Sequence, residues 1–86
     1  MITVYGRPDC PYCDKAIELL EETGLDYTYI DIKEHLSALE LMRTRGHASV
    51  PQVYNEDIHI GGYTDMEAWI SRIYPQKVTV MGDVQL

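Results

Sequence analysis

Phenylalanine is absent from this 86-residue chain and tryptophan occurs once, so seven tyrosines supply nearly all of its aromatic bulk. Basic residues are also scarce, since seven lysines and arginines stand against fourteen acidic residues, for a net charge of −7. Such a surplus of negative charge opposes binding to phosphate backbones and to anionic membrane surfaces. We therefore expect neither nucleic acid nor a membrane as a partner.

Long apolar runs are lacking as well. No stretch reaches the roughly 20 apolar residues that a membrane span requires. The segment from Met1 to Tyr5 has neither the basic residues nor the long apolar run of a secretion signal. We therefore expect a cytoplasmic protein. The chain is too short for more than one domain, and its 45% apolar and 24% charged residues are typical of a folded globular domain.

Alternating and helical hydrophobic patterns predict seven elements in the order βαβαββα, an α/β fold. The predicted elements are a strand over residues 1–5, a helix from Pro11 to Gly24, a strand over 25–32, a helix of about ten residues ending at Gly46, a hairpin of strands 52–54 and 58–60, and a helix that Pro75 ends. The first βαβ unit implies two parallel strands joined by a right-handed crossover.

Capping boxes indicate where the second and third helices begin. Ser37 is followed three residues later by Glu40, and Thr64 by Glu67, which is the spacing of that motif. The domain is expected to span residues 1–75 and to leave a tail at 76–86. Val78 and Val80 indicate either a fifth short strand there or an ordered tail, and the pattern does not decide between them.

The cysteines are limited to Cys10 and Cys13, too few for the disulfide framework of a small secreted protein. Pro11 suits the first helical position, which places Cys10 at the helix N-terminus. Backbone N–H groups and the helix dipole there lower a thiol pKa below its free value of about 8.5. Cys10 is therefore predicted to be the nucleophile. Cys13 lies on the apolar face and is predicted to be the shielded, resolving thiol.

Two other uses of a cysteine pair fit this sequence less well. A structural disulfide closing so short a loop would stabilise the fold by only about 2 kcal/mol. A zinc site needs four ligands, and His35, His47 and His59 show no helical spacing with one another or with the cysteines. We expect no metal site, because a C-x-x-C motif within a βαβ pattern is typical of thiol redox chemistry.

Three separated segments resemble the glutaredoxins, thioredoxin-fold proteins that use glutathione. The segments are Gly6-Arg7-Pro8-Asp9-Cys10-Pro11-Tyr12-Cys13, Ser49-Val50-Pro51-Gln52 and His59-Ile60-Gly61-Gly62-Tyr63-Thr64-Asp65. The C-P-Y-C sequence is similar to that of the dithiol branch, and the likeness extends over residues 1–74. It implies a thioredoxin-like fold with a four-stranded mixed sheet flanked by three helices. The greatest likeness is to the small bacterial or phage type that serves ribonucleotide reductase.

The resemblance also implies a set of glutathione-binding residues. They are Arg7, Tyr12, Ser49, Val50, Pro51, Tyr63, Thr64 and Asp65. A cis Val50–Pro51 bond would turn the Val50 backbone toward Cys10, where it could pair with an extended peptide.

The two ends of glutathione would take different partners. The helix N-terminus at Thr64 and Asp65 would hold the γ-glutamyl end, although both residues could simply cap the helix. Arg7 would pair with the glycyl carboxylate, and the two tyrosines would wall the groove. Arg43 and Arg45 either add positive potential or belong to a solvated helix face.

Two residues depart from the pattern of the family. Asp9 places a negative charge beside Cys10, which opposes a lowered thiol pKa. Ser49 stands where threonine is commoner and keeps the hydroxyl.

The predicted activity is glutathione-dependent thiol-disulfide exchange by a monomer without a bound cofactor. Cys10 attacks a protein or glutathione mixed disulfide, Cys13 displaces the partner, and glutathione, as co-substrate, reduces the enzyme. Three alternatives remain open. One is a dimer that bridges an iron-sulfur cluster, against which Pro11 and the bulky Tyr12 argue. The others are a thioredoxin-like reductase that is itself reduced by a flavoprotein, and a non-catalytic binding module.

Overall fold

A computed structural model describes residues 1–74 of the chain. The elements, in chain order, are β1 (Ile2–Gly6), α1 (Pro11–Thr23), β2 (Tyr27–Asp31), α2 (Leu36–Thr44), β3 (Gln52–Asn55), β4 (Ile58–Gly61) and α3 (Tyr63–Ile73). This is the predicted order βαβαββα. The tail at 76–86, with its expected strand at Val78 and Val80, lies outside the described residues.

The four strands form one mixed sheet in the order β2-β1-β3-β4. β1 runs parallel to β2 and antiparallel to β3, which in turn forms an antiparallel hairpin with β4. The predicted sheet and the thioredoxin-like fold are therefore confirmed. Parallel β1 and β2 both end near α1, and this brings the turn that carries the cysteines to one edge of the sheet.

One apolar core joins the sheet to α1 and α3. Its fully or nearly fully buried members are Ile2, Val4, Ala16, Leu20, Val53, Met66 and Ile70. The spacing i, i+3, i+4, i+7 predicts an apolar face of α1 made of Cys13, Ala16, Ile17 and Leu20. Three of these are buried, and Ile17 is partly buried against the core. The helix ends at Gly24, whose backbone N–H donates to carbonyl groups of the last turn. Burial of α1 against the sheet fixes the position of its N-terminus.

Both predicted capping boxes are wrong. α2 begins at Leu36 after His35, because the Asp31 carbonyl accepts the N–H groups of Glu34 and His35 and so sets the turn that precedes the helix. α3 begins at Tyr63 after Gly62. At α3 the Asp65 side chain accepts the Gly62 N–H, so the cap lies two residues before the predicted one.

Within residues 1–74, no helix combines the length and the apolar character that a bilayer crossing demands.

Candidate active site

Cys10 is the N-cap residue of α1, with Pro11 in the first turn as predicted. The backbone N–H of Cys13 donates to the Cys10 sulfur over 3.2 Å. Hydrogen bonding of this kind stabilises a thiolate more than a thiol. The structure therefore places Cys10 where a reactive thiolate is favoured once the pair is reduced.

Cys10 and Cys13 form a disulfide bond with their Cα atoms 5.2 Å apart. The Cys10 residue is 8% exposed and Cys13 only 1% exposed. The first sulfur is thus the one that a partner can reach more easily, while the second lies inside the fold. This difference agrees with the predicted division into attacking and resolving thiols.

Gly6, at the end of β1, lets Cys13 and Tyr29 pack against the strand. A Cβ atom at Gly6 would lie 2.9 Å from the Tyr29 ring and 3.0 Å from the Cys13 sulfur. Burial raises the pKa of the Tyr29 hydroxyl, and the nearby carboxylates of Asp31 and Asp14 raise it further. A neutral phenol therefore lies close to the buried sulfur at neutral pH.

The loop before β3 faces the cysteines. The Val50–Pro51 peptide bond is cis, as the resemblance implied. The Val50 carbonyl oxygen lies 3.7 Å from the Cys10 sulfur. Peptide backbone is thus presented beside the reactive atom, in the position expected for pairing with an extended substrate.

Arg7 lies on a pocket of about 210 Å³ next to this loop. Ser49 and Val50 line the same pocket, and so does Arg43 of α2. Arg43 has only a weak exposed contact with Glu40, at 3.7 Å, and remains available to a ligand. Two arginines thus line one pocket of an acidic protein, which suits an anionic ligand.

Arg45 is in a different place from Arg43. Its guanidinium carbon lies 5.0 Å from the centre of the Tyr54 ring, in cation–π geometry. The structure therefore separates the two arginines: Arg43 reaches the pocket, and Arg45 packs on an aromatic ring.

Thr64 and Asp65 lie exposed in the first turn of α3. The Asp65 carboxylate accepts the backbone N–H of Gly62 over 3.2 Å and so caps the helix. Thr64 is not the N-cap residue. One Asp65 oxygen thus accepts a hydrogen bond within the protein. The exposed carboxylate can still pair with a cationic group of a ligand.

Tyr12 and Tyr63 form an aromatic pair between the cysteine turn and α3. Their ring centroids are 5.9 Å apart, and Tyr12 is 56% exposed. Burial raises the pKa of Tyr63, with Glu67 as the next contributor. The two rings, which the sequence assigned to the wall of one groove, are in contact with each other.

The Gly61-to-Ala change is expected to destabilise the fold more than the same change at Gly46. Both glycines have positive φ, 129° and 77°, where an alanine is strained by roughly 1–3 kcal/mol. At Gly61 the new Cβ would also lie 2.7 Å from the Asp65 Cβ and overlap its carboxylate, whereas nothing lies within 4 Å at Gly46. Losing that cap adds about 1 kcal/mol. Urea unfolding of both variants measures the difference, and equal losses would contradict it.

A cluster beside the site was missed by the sequence analysis: His47, Gln52, Tyr54 and His59. The rings of His47 and His59 lie 4.4 Å apart, and His47 Nε2 lies 2.8 Å from the Tyr54 hydroxyl. Partial burial lowers the pKa of His47, and His59 and Arg45 lower it further. Helical spacing could not reveal this cluster, but the predicted hairpin could have done so, because it pairs Tyr54 with His59.

Comparison with known proteins gives a consistent result. The family model Glutaredoxin matches residues 2–60. Glutaredoxin 1 of Salmonella typhimurium is 43% identical over an alignment that covers 77% of this chain and 85% of the relative.

Two solved structures share the fold. The reduced glutaredoxin of Escherichia coli is 35% identical, with a TM-score of 0.64, and the match covers 86% of this chain and 96% of that one. The glutaredoxin-like NrdH-redoxin of E. coli, which has a thioredoxin-like activity profile, is 30% identical with a TM-score of 0.74. That match covers 86% of this chain and 95% of the NrdH-redoxin.

Proposed function

This chain belongs to the glutaredoxin family of thiol-disulfide oxidoreductases, and on that premise we propose that glutathione is its co-substrate. The observation that carries the proposal is the set of charged residues that borders the cysteine turn. Arg7 and Arg43 line a pocket together with Val50, whose carbonyl lies beside the Cys10 sulfur. The Asp65 carboxylate stands at the start of α3, which adjoins Pro51 through Gly62. Glutathione carries carboxylates at both ends and an ammonium group at one, and so complements this set of charges.

The elements of the site adjoin one another closely enough to bind a single tripeptide. Val50 reaches the Cys10 sulfur, and an atom added to Gly62 would lie 3.6 Å from the Pro51 carbonyl oxygen. The loop before β3 therefore contacts both the cysteine turn and the start of α3. In the proposed complex, the glycyl carboxylate pairs with Arg7 and the Val50 backbone pairs with the cysteinyl part. The Asp65 carboxylate pairs with the ammonium group of the γ-glutamyl residue, and the carboxylate of that γ-glutamyl residue accepts the free N–H groups at the start of α3.

The reaction is a series of thiolate exchanges in which one disulfide is consumed for each disulfide formed. The Cys10 thiolate attacks a substrate disulfide, forms a mixed disulfide and releases one substrate thiol. The Cys13 thiolate then attacks the Cys10 sulfur, releases the second thiol and closes the bond seen in the structure. One glutathione opens that bond and remains on Cys10. A second glutathione takes the first away as glutathione disulfide and leaves both cysteines reduced.

A thioredoxin-like reductant is the second candidate, because the NrdH-redoxin neighbour has a thioredoxin-like activity profile. Such a protein would be reduced by a flavoprotein rather than by glutathione. The deciding experiment offers the oxidised protein either glutathione with glutathione reductase or thioredoxin reductase, each with NADPH. Rapid reduction by the first and none by the second is expected. The reverse result would establish the second candidate.

The Asp65-to-Asn change tests the binding mode. Asparagine can still accept the Gly62 N–H, so the cap survives, but the negative charge that meets the ligand ammonium is lost. We expect the KM for glutathionylated substrate to rise about tenfold, as for a hydrogen bond to a charged group. Asp57→Asn, in the exposed hairpin turn, is the matched control. An unchanged KM in Asp65→Asn would refute this placement of glutathione.

The setting and the partners follow from this chemistry. Glutathione keeps thiols reduced in the cytoplasm, which we propose as the compartment of the protein. We also propose that it acts as a monomer without a resident cofactor, and that disulfide-containing proteins, among them ribonucleotide reductase, are its substrates.

A further inference from the structure

We propose that Gln52, held in place by His59, is a positioning residue that aims the Val50 N–H at the substrate. This inference rests on the proposed function, because it concerns the backbone that would receive glutathione. The hydrogen bonds of the two side chains go to Ser49 and to each other, and not to the cysteine sulfur atoms. Their action is to fix one peptide group of the loop that faces Cys10.

The Gln52 side chain is nearly buried, with 8% of the residue exposed. Its amide Nε2 donates to the Ser49 carbonyl over 2.9 Å. Its Oε1 lies 2.6 Å from Nε2 of His59 on β4. A buried amide is costly unless it is hydrogen-bonded, and this one is satisfied at both of its polar atoms.

These two contacts impose one direction on the hydrogen bonds. The Ser49 carbonyl can only accept, so Gln52 must present its NH₂ group to it. Oε1 then faces His59 and can only accept, so His59 must carry a proton on Nε2. A flipped amide would place its oxygen against the Ser49 oxygen and its NH₂ group against the His59 Nε2–H, so both contacts oppose the flip.

The His59 side chain is exposed, and its ring packs against two neighbouring rings. It lies 4.4 Å from the His47 ring and 4.9 Å from the Tyr54 ring, measured between centroids. The Arg45 guanidinium lies above the Tyr54 ring of this cluster.

The consequence for the site follows from the planarity of the peptide bond. The Ser49 carbonyl and the Val50 N–H belong to the same rigid peptide group. A hydrogen bond that fixes the carbonyl therefore also fixes the direction of the N–H. The next carbonyl, that of Val50, lies 3.7 Å from the Cys10 sulfur, so the fixed N–H belongs to the backbone that borders the reactive atom.

The test compares variants that break the chain of hydrogen bonds at different points. Gln52→Met keeps the length of the side chain and removes both bonds, and Gln52→Glu keeps the acceptor for His59 but cannot donate to Ser49 at neutral pH. His59→Leu removes the outer donor, His59→Gln restores one, and His35→Leu is the matched histidine control, because the His35 side chain makes no capping hydrogen bond.

Both Gln52 variants are expected to raise the KM for glutathionylated substrate about fivefold, the worth of one hydrogen bond. The value of kcat and the rate of Cys10 alkylation should stay within about twofold of wild type, because substrate and transition state lose the same contact. His59→Leu should raise KM less, and His59→Gln should restore it. An unchanged KM in Gln52→Met, or a large fall in kcat that accompanies the rise in KM, would overturn the proposal.

A second measurement separates this inference from the proposed function. The Val50 amide resonance of the ligand-free protein should shift in Gln52→Met and Gln52→Glu, and not in His35→Leu. If the wild-type protein fails to use glutathione, the proposed function is wrong, whereas the resonance still reports on the peptide group. A Val50 resonance that is the same in all variants would refute the positioning role.

Discussion

Cys10→Ser is expected to abolish disulfide exchange, down to the uncatalysed background. Cys10 supplies the attacking thiolate, and a serine hydroxyl in the same place stays protonated at neutral pH and forms no disulfide. The 3.2 Å hydrogen bond from the Cys13 N–H would be kept by the serine oxygen, so the fold should be unaffected. A glutathione-coupled assay measures the loss, and far-UV circular dichroism checks the fold.

Cys13→Ser is the matched control, because it makes the same chemical change one helical turn away. This variant should keep activity on glutathione mixed disulfides, whose removal needs only the attacking thiol. It should lose the release of protein mixed disulfides by the resolving thiol. Equal loss of glutathione mixed-disulfide activity in both variants would show that the roles of the two cysteines have been assigned wrongly.

The alkylation rate of the reduced protein gives an independent check on the same assignment. Cys10 should react with iodoacetamide at mildly acidic pH, where an ordinary thiol with a pKa of about 8.5 is protonated. Cys13, at 1% exposure, should react far more slowly. Two thiols that react equally slowly would contradict the role given to the helix N-terminus.

Leu20→Ala is expected to lower the free energy of unfolding by about 2–5 kcal/mol. Leu20 is fully buried in the core between α1 and the sheet, so truncation leaves a cavity. A domain of this size has a total stability of only about 4–13 kcal/mol. The melting temperature should fall by roughly 10–25 °C, and activity at 37 °C should fall with it, because α1 holds Cys10.

Leu36→Ala makes the same truncation on the surface. Leu36 is 72% exposed at the start of α2, and its loss should change stability by no more than about 0.5 kcal/mol. Thermal melts of the two variants, measured side by side, provide the comparison. Similar shifts in both melting temperatures would show that the core does not lie where the structure places it.

The hydrophobic pattern predicted the order of the elements because each pattern is local. The spacing of Cys13, Ala16 and Leu20 marks a helical face that can be buried only on one side, and the structure buries it. The exact starts of α2 and α3 were not predictable in this way. The Asp31 carbonyl sets the start of α2 through the turn that precedes it, and the Asp65 side chain sets the start of α3 by accepting the Gly62 N–H.

The sequence placed both cysteines and the segments that border them, but not the contacts between segments. Arg43 and Arg45 are two residues apart and look alike in the sequence, yet one reaches the pocket and the other covers Tyr54. Asp65 was expected at the site, and only the structure shows that it also caps α3. Such differences depend on which side of an element faces which neighbour.

The sequence alone determined that Cys10 would start a helix with Cys13 one turn inside it, since proline at the first turn and the apolar spacing act within a few residues. Only the tertiary structure decided that Gln52 would join His59 to the loop at Ser49. That connection needs the register of β3 against β4 and the return of the chain from α2, which result from packing over the whole domain.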